Sequence, residues 1–233
     1  MTLLPLAAIE TSHPTFSLGP VDFNQDTLFN TGLVCLLLVV LAIFLRTQVH
    51  SGVPGPVQNA VEGIVQYIGG LADESMIGRG IVLAPLAITL FVFLLLCNWI
   101  GLIPKLKSPT NDWNTTLSLA LMIILLEQFF SFRKRGIGGF LKHTFLAPPF
   151  FIFTPILELA KPLTLSFRLY FNIFVGELLL ALIIFLIPTW LSWIPGGIWT
   201  LFSLFVGIVQ AFIFTVLGIA YIAVATEMEE GHA

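Results

Sequence analysis

Charge is what this chain has least of. Only 10% of its 233 residues are Asp, Glu, Lys or Arg, against about 25% in an ordinary soluble domain. No polar stretch is long enough to fold as a separate soluble unit. Cysteine is scarce as well. Cys35 and Cys97 both lie in apolar runs, where a thiol behaves as a small hydrophobe. Two such residues provide neither a disulfide framework nor a metal spacing. His13, His50, His143 and His232 are scattered along the chain, so no metal or other cofactor is expected. No Lys or Arg precedes Arg46, and the one basic cluster is Arg133-Lys134-Arg135. Nucleic acid is therefore not an expected partner. A phosphate loop, a nucleophile elbow and a zinc spacing are all missing. The chain on its own is not expected to be an enzyme.

What remains is apolar. Hydrophobic residues make up 57% of the chain, and the mean hydropathy is +0.99. The pattern predicts an all-α polytopic membrane protein lying in the lipid bilayer. It has about five membrane helices and one amphipathic interfacial helix. Residues 1–26 read as a short N-terminal tail and 27–233 as a single membrane domain. The spans are expected at 27–46, 80–103, 115–132, 160–187 and 198–225. Within 54–72, Val57, Val61, Ile64, Ile68 and Leu71 recur at helical spacing, with Gln58, Glu62 and Gln66 on other sides. Asn114 or Thr115 is placed to cap the third span. Glu127 lies six residues before Arg133, under two helical turns away, and is expected to pair with that basic cluster. Pro148, Pro149 and Pro155 predict a kinked approach to the fourth span. Pro188 and Pro195-Gly196-Gly197 predict a turn between the last two long helices, which then form an antiparallel hairpin. Arg46, Arg79, Arg133, Lys134, Arg135, Lys142 and Lys161 flank one set of loops, and only Lys105 and Lys107 the other. That bias puts the N-terminus outside and the C-terminus inside.

The chain is organised around the fourth span. Arg168, Asn172 and Glu177 interrupt an apolar run that reaches Ile187. An arginine in hydrocarbon costs about 2.5–3.5 kcal/mol even on lenient scales, so it faces a partner or a wet cavity. Thr164, Arg168 and Asn172 are four apart and share a helix face. Glu177 lies about half a turn out of phase with Arg168 and roughly 13 Å further along the axis. The helix thus carries a fixed cation on one side and a titratable acid on the other, which favours an ion path over packing. In the last span Ser203, Gln210 and Tyr221 fall within about 20° of one another on a helical wheel, with Gly207 between. That face suits packing against the Arg168 helix.

These residues resemble the motifs of subunit a of F-type ATP synthases. The resemblance is carried by Lys161-Pro162-Leu163-Thr164-Leu165-Ser166-Phe167-Arg168-Leu169, then Asn172, then Gly176-Glu177-Leu178. It is carried also by Gln210-Ala211-Phe212-Ile213-Phe214 and by Pro109-Thr110-Asn111-Asp112-Trp113-Asn114-Thr115-Thr116. It covers roughly residues 54 to 231. The resemblance implies a subunit of the membrane Fo sector with two proton half-channels separated by Arg168, coupling proton flow to rotation of the rotor's c-ring. Arg168 would face the rotor carboxylate. Asn172, Glu177 and Gln210 would belong to the half-channel open to the outside, with Asp112 and Asn114 near its mouth. Glu158 resembles an acid near the inner half-channel. Some members carry a histidine or an acid at Ser203, so a proton relay here would use Glu177 with water. The family usually has glycine where Phe171 stands. The implied partners are the c-ring, peripheral-stalk b-type subunits and the other ATP synthase subunits. The implied location is a bacterial inner membrane or a thylakoid or other organellar energy-coupling membrane. A secondary transporter or a purely structural membrane subunit is the alternative. The former would show internal repeats or broken helices, and no repeat is evident.

Overall fold

The structure, a computed structural model, describes residues 15–18, 21–48, 55–75, 80–103, 106–145, 153–188 and 190–227. Arg79, Lys105, Pro148, Pro149 and the ending 228–233 lie outside them. Among the described residues six helices follow a short hairpin. In the hairpin, β1 (Thr15–Leu18) pairs antiparallel with β2 (Val21–Asn24), inside the stretch expected to be a tail. Then come α1 (Gln25–Gln48), α2 (Pro56–Ser75) and α3 (Gly80–Ile100). A single 3-10 turn, Pro109–Asn111, leads into α4 (Trp113–Phe145), α5 (Phe153–Leu186) and α6 (Trp193–Glu227). All but α2 contain a segment long and apolar enough to cross a membrane. The protein is thus an all-helical, multi-pass membrane protein apart from its hairpin.

α1 is apolar on nearly every side and buries only Asn30 and Val34. Its Val34 packs with Cys97 and Ile100 of α3, and Leu36, Val40 and Ile43 stay uncovered, as lipid-facing residues do. α2 is the amphipathic helix. Its apolar face lies against this same chain: Ile68 and Ala72 are buried with Ala87 and Leu90 of α3, and the Tyr67 ring stacks 5.9 Å from Phe212 of α6. The main core gathers Leu94, Ala120, Ile123, Leu165, Leu169, Ala211 and Phe214 from α3 to α6. Ser166 Oγ donates to Thr116 Oγ1 at 3.1 Å across the α4–α5 contact, where small residues let membrane helices approach closely.

Three boundaries differ from expectation for physical reasons. α4 is capped by Asp112, not by Asn114 or Thr115: the Asn114 amide donates to Asp112 Oδ1 at 2.9 Å. α4 also runs past the basic cluster, broken at Gly136, whose φ of 68° is cheap only without a Cβ. Pro195, Gly196 and Gly197 are not a turn but the first turns of α6. The chain reverses earlier, where the Leu191 and Ser192 amides donate to Pro188 O at 2.9 and 3.0 Å. A proline in the first turn of a helix loses no helical hydrogen bond.

The turn after α3 depends on a close approach. A Cβ on Gly101 would sit 2.7 Å from Ser108 Cβ. Gly101→Ala must therefore push the 106–112 segment off the end of α3. We expect a loss of about 1–3 kcal/mol, read as a lower midpoint of thermal unfolding in detergent.

Candidate functional site

α5 buries one side against the bundle and leaves the other open. Leu165, Ser166 and Leu169 are buried, whereas Leu163, Phe167 and Phe171 are exposed. Arg168 stands at the border of the two arcs. At about 100° per residue, the buried arc continued upward would meet Asn172, Ile173, Gly176, Glu177 and Leu180. There the packing opens into a cavity of about 500 Å³, lined by those residues and by Arg168. α6 supplies Trp199, Ser203, Gly207 and Gln210 to the same wall, and α3 supplies Asn98. The cavity wraps half of α5. Arg168 and Glu177 can thus stand half a turn apart and still open onto one space.

The polar groups around this space are held in place. Glu177 Oε2 accepts from Asn111 Nδ2 at 2.7 Å. Asn98 Nδ2 donates to Gly207 O at 3.0 Å, tying α3 to α6. Trp199 Nε1 donates to Gly176 O at 2.9 Å and bridges the α5–α6 hairpin. Gln210 is only 6% exposed. Its Nε2 is buried without a hydrogen-bond partner, a donor left for a water or a passing acceptor. Arg168 makes no salt bridge among the described residues. An aromatic series runs beside it: Trp113 to Phe167 at 4.6 Å, Phe167 to Phe171 at 5.7 Å and Tyr170 to Phe174 at 5.7 Å.

The expected site residues divide into three groups. Arg168, Asn172, Glu177, Ser203 and Gln210 meet in the cavity. Asp112 and Asn114 do not line it. Asp112, 8% exposed, accepts from Asn24 Nδ2 and, at 3.0 Å, from Thr27 Oγ1, so it locks α1 to the start of α4. Asn114 is exposed. Glu158 belongs to a separate cluster. Lys161 Nζ donates to Glu127 Oε1 at 2.6 Å and to Glu158 Oε1 at 2.9 Å, and Gln128 Nε2 donates to Glu158 Oε2 at 2.9 Å. Glu127 thus pairs with Lys161 of α5, not with Arg133, because the helix packing turns it inward. Tyr221 also lies here, its ring 5.4 Å from Lys161 Nζ, and not in the cavity with Ser203 and Gln210. Thr164 does not extend the Arg168 face into the cavity; its hydroxyl donates to the Ala160 and Lys161 carbonyls, each at 2.9 Å.

The reading of the sequence omits Asn98, Asn111 and Trp199. Asn98 could have been found, since it interrupts an apolar run as Gln210 does. The other two show no local sign.

Five helices long and apolar enough to cross a membrane, three of them lining a partly polar cavity, define an integral, multi-pass membrane protein. The family model for the ATP synthase A chain matches residues 28–223. ATP synthase subunit a of Acidothermus cellulolyticus is 40% identical over 225 residues, covering 92% of this chain and 82% of that protein. The subunit a of Mycobacterium ulcerans is 39% identical over 240 residues, covering 94% of each chain. That of Desulforamulus reducens is 37% identical over 218 residues, covering 91% and 83%. The chain belongs to the ATP synthase A chain family.

The Lys161 cluster places one cation between two acids. Lys161→Ala would leave Glu127, whose side chain is 4% exposed, without its cation. We expect destabilisation by about 3–5 kcal/mol, the usual result of breaking a buried pair. Adding Glu127→Gln and Glu158→Gln should restore most of the thermal midpoint.

Proposed function

We propose that this chain is the stator channel subunit of an F-type ATP synthase. In this reading Arg168 separates two proton half-channels and couples proton flow to rotation of the c-ring. The observation that carries the proposal is the single cavity shared by Arg168, Asn172, Glu177, Ser203 and Gln210. An arginine does not deprotonate in a protein. Arg168 is thus a poor relay and a good fixed charge. It attracts a rotor carboxylate, favours loss of that group's proton, and interrupts a direct proton wire. Glu177 exchanges protons with cavity water, and Asn172, Ser203 and Gln210 orient that water. Asp112 supports this half-channel by holding the turn at its mouth, with Asn114 on the exposed side. Glu158, with Lys161 and Glu127, lies toward the inner half-channel.

The outer strip of α5 and α6 supports a rotor-facing role. Phe167, Phe171 and Val175 on α5 and Phe202 and Phe205 on α6 are exposed, and Phe171, Val175 and Phe202 line the cavity with Arg168. A ring of apolar helices would cover them, with its carboxylates passing the one cation. Peripheral-stalk b-type subunits would hold the chain against the torque. Each proton falling through the membrane potential supplies about 2.3 kcal/mol per 100 mV, which drives rotation only if leakage past Arg168 is blocked. The membrane is a bacterial inner membrane or an organellar energy-coupling membrane, with the N-terminus outside.

The test is Arg168→Lys. Lysine keeps a charge but sheds it more readily when desolvated, and lacks the planar fork. We expect the complex to assemble and ATP-driven proton pumping in membrane vesicles to be abolished. Pumping at the unmodified rate would refute the stator assignment.

A further inference from the structure

Asn111 lies between residues whose side chains are tied down elsewhere. Ser108 Oγ donates to Cys97 O at 2.7 Å. Thr110 is fully buried, its hydroxyl 2.7 Å from Ser108 Oγ and 3.4 Å from Asn98 Oδ1. Asp112 is engaged by Asn24, Thr27 and the Asn114 amide. The Asn111 backbone amide closes the turn on Ser108 O at 3.0 Å. Of these residues, Asn111 alone sends its side chain to α5, and its partner there is Glu177 Oε2 at 2.7 Å. An ionised carboxylate only accepts, so the group facing it is the amide NH2. The turn therefore forms a fixed cap over the acid. α3 holds the turn through Cys97 and Asn98, and α1 holds it through Asp112.

We infer that Asn111 is a positioning residue for Glu177: its amide fixes one carboxylate oxygen so that the acid keeps one orientation toward the cavity in every proton transfer. The inference rests on the proton-carrying role proposed for Glu177 above. A charge-assisted bond of this kind limits the directions in which the carboxylate meets water. Without it the side chain rotates, and fewer encounters have productive geometry.

The experiment uses the intact ATP synthase in membrane vesicles, with the initial rate of ATP-driven proton pumping normalised to assembled complex. Asn111→Ala should pump about tenfold more slowly, the expected loss for a bond to a charged group. Asn111→Asp separates positioning from mere turn structure. Aspartate fits this turn position as well as asparagine does, but it removes the donor and sets a second carboxylate against Glu177. It should therefore pump more slowly than Asn111→Ala. In a Glu177→Gln background, Asn111→Ala should add little, because the group it positions no longer titrates. Wild-type pumping by Asn111→Asp would overturn the inference. So would an undiminished effect of Asn111→Ala in the Glu177→Gln background. If those results came with slow pumping by Glu177→Gln itself, the role of Glu177 would stand and only that of Asn111 would fall. Unchanged pumping by Glu177→Gln would remove both.

Discussion

Hydrocarbon offers no hydrogen bonds, and most of this architecture follows from that constraint. A polar side chain on a spanning helix must find a protein partner or a water-filled space. Here each solution occupies its own place along α5. At one end, Lys161 pairs with two acids and lies against the Tyr221 ring. In the middle, Ser166 meets Thr116 inside the core. Beyond Arg168 the partners give way to open volume, with Glu177 held at the far side. One helix thus passes from salt-bridged to packed to cavity-lining along its length. Because the cavity-lining part is a continuation of the packed face, the cavity needs no separate domain to contain it.

Where a polar group breaks an apolar run, the sequence was legible. Arg168, Asn172, Glu177 and Gln210 stand out by cost, Ser203 by sharing the Gln210 face, and all five line the cavity. Asn98 carries the same mark. Asn111 does not: its neighbours are polar too, and its bond to Glu177 joins positions 66 residues apart. The cap of α4 shows the same limit. Asp112, Asn114 and Thr115 are all competent cap residues, and local chemistry does not choose among them. Asn24 and Thr27 hold Asp112 from another helix. Glu127 has Arg133 nearby in sequence and Lys161 nearby in space, and a one-dimensional reading ranks those in the wrong order. The two-stranded hairpin at 15–24 was marked in the sequence, since Thr15-Phe16-Ser17-Leu18 and Val21-Asp22-Phe23-Asn24 alternate on either side of Gly19-Pro20, and taking residues 1–26 as a tail passed over it.

Two anchors fix the height of α5 in the bundle. The Lys161 cluster joins it to α4 near one end. The 108–112 turn and the Trp199 bond to Gly176 hold it near the other. Arg168 lies between, on a stretch braced by Leu165 and Leu169, both almost fully buried. A side chain between two pinned ends cannot slide along the axis without breaking charge-assisted bonds. The aromatic series from Trp113 through Phe167 to Phe171 lies along the same stretch. The position of the cation is therefore set by the scaffold before anything docks against it.

The uncovered strip of α5 has a consequence for the membrane itself. Leu163, Phe167, Phe171 and Val175 suit acyl chains well, but the guanidinium at their edge does not. A solitary copy would draw water and headgroups inward toward that one residue and thin the surrounding leaflet. The penalty would fall on the lipid rather than on the fold, which keeps its core either way. Each newly inserted copy would deform its host bilayer until another surface seals the strip.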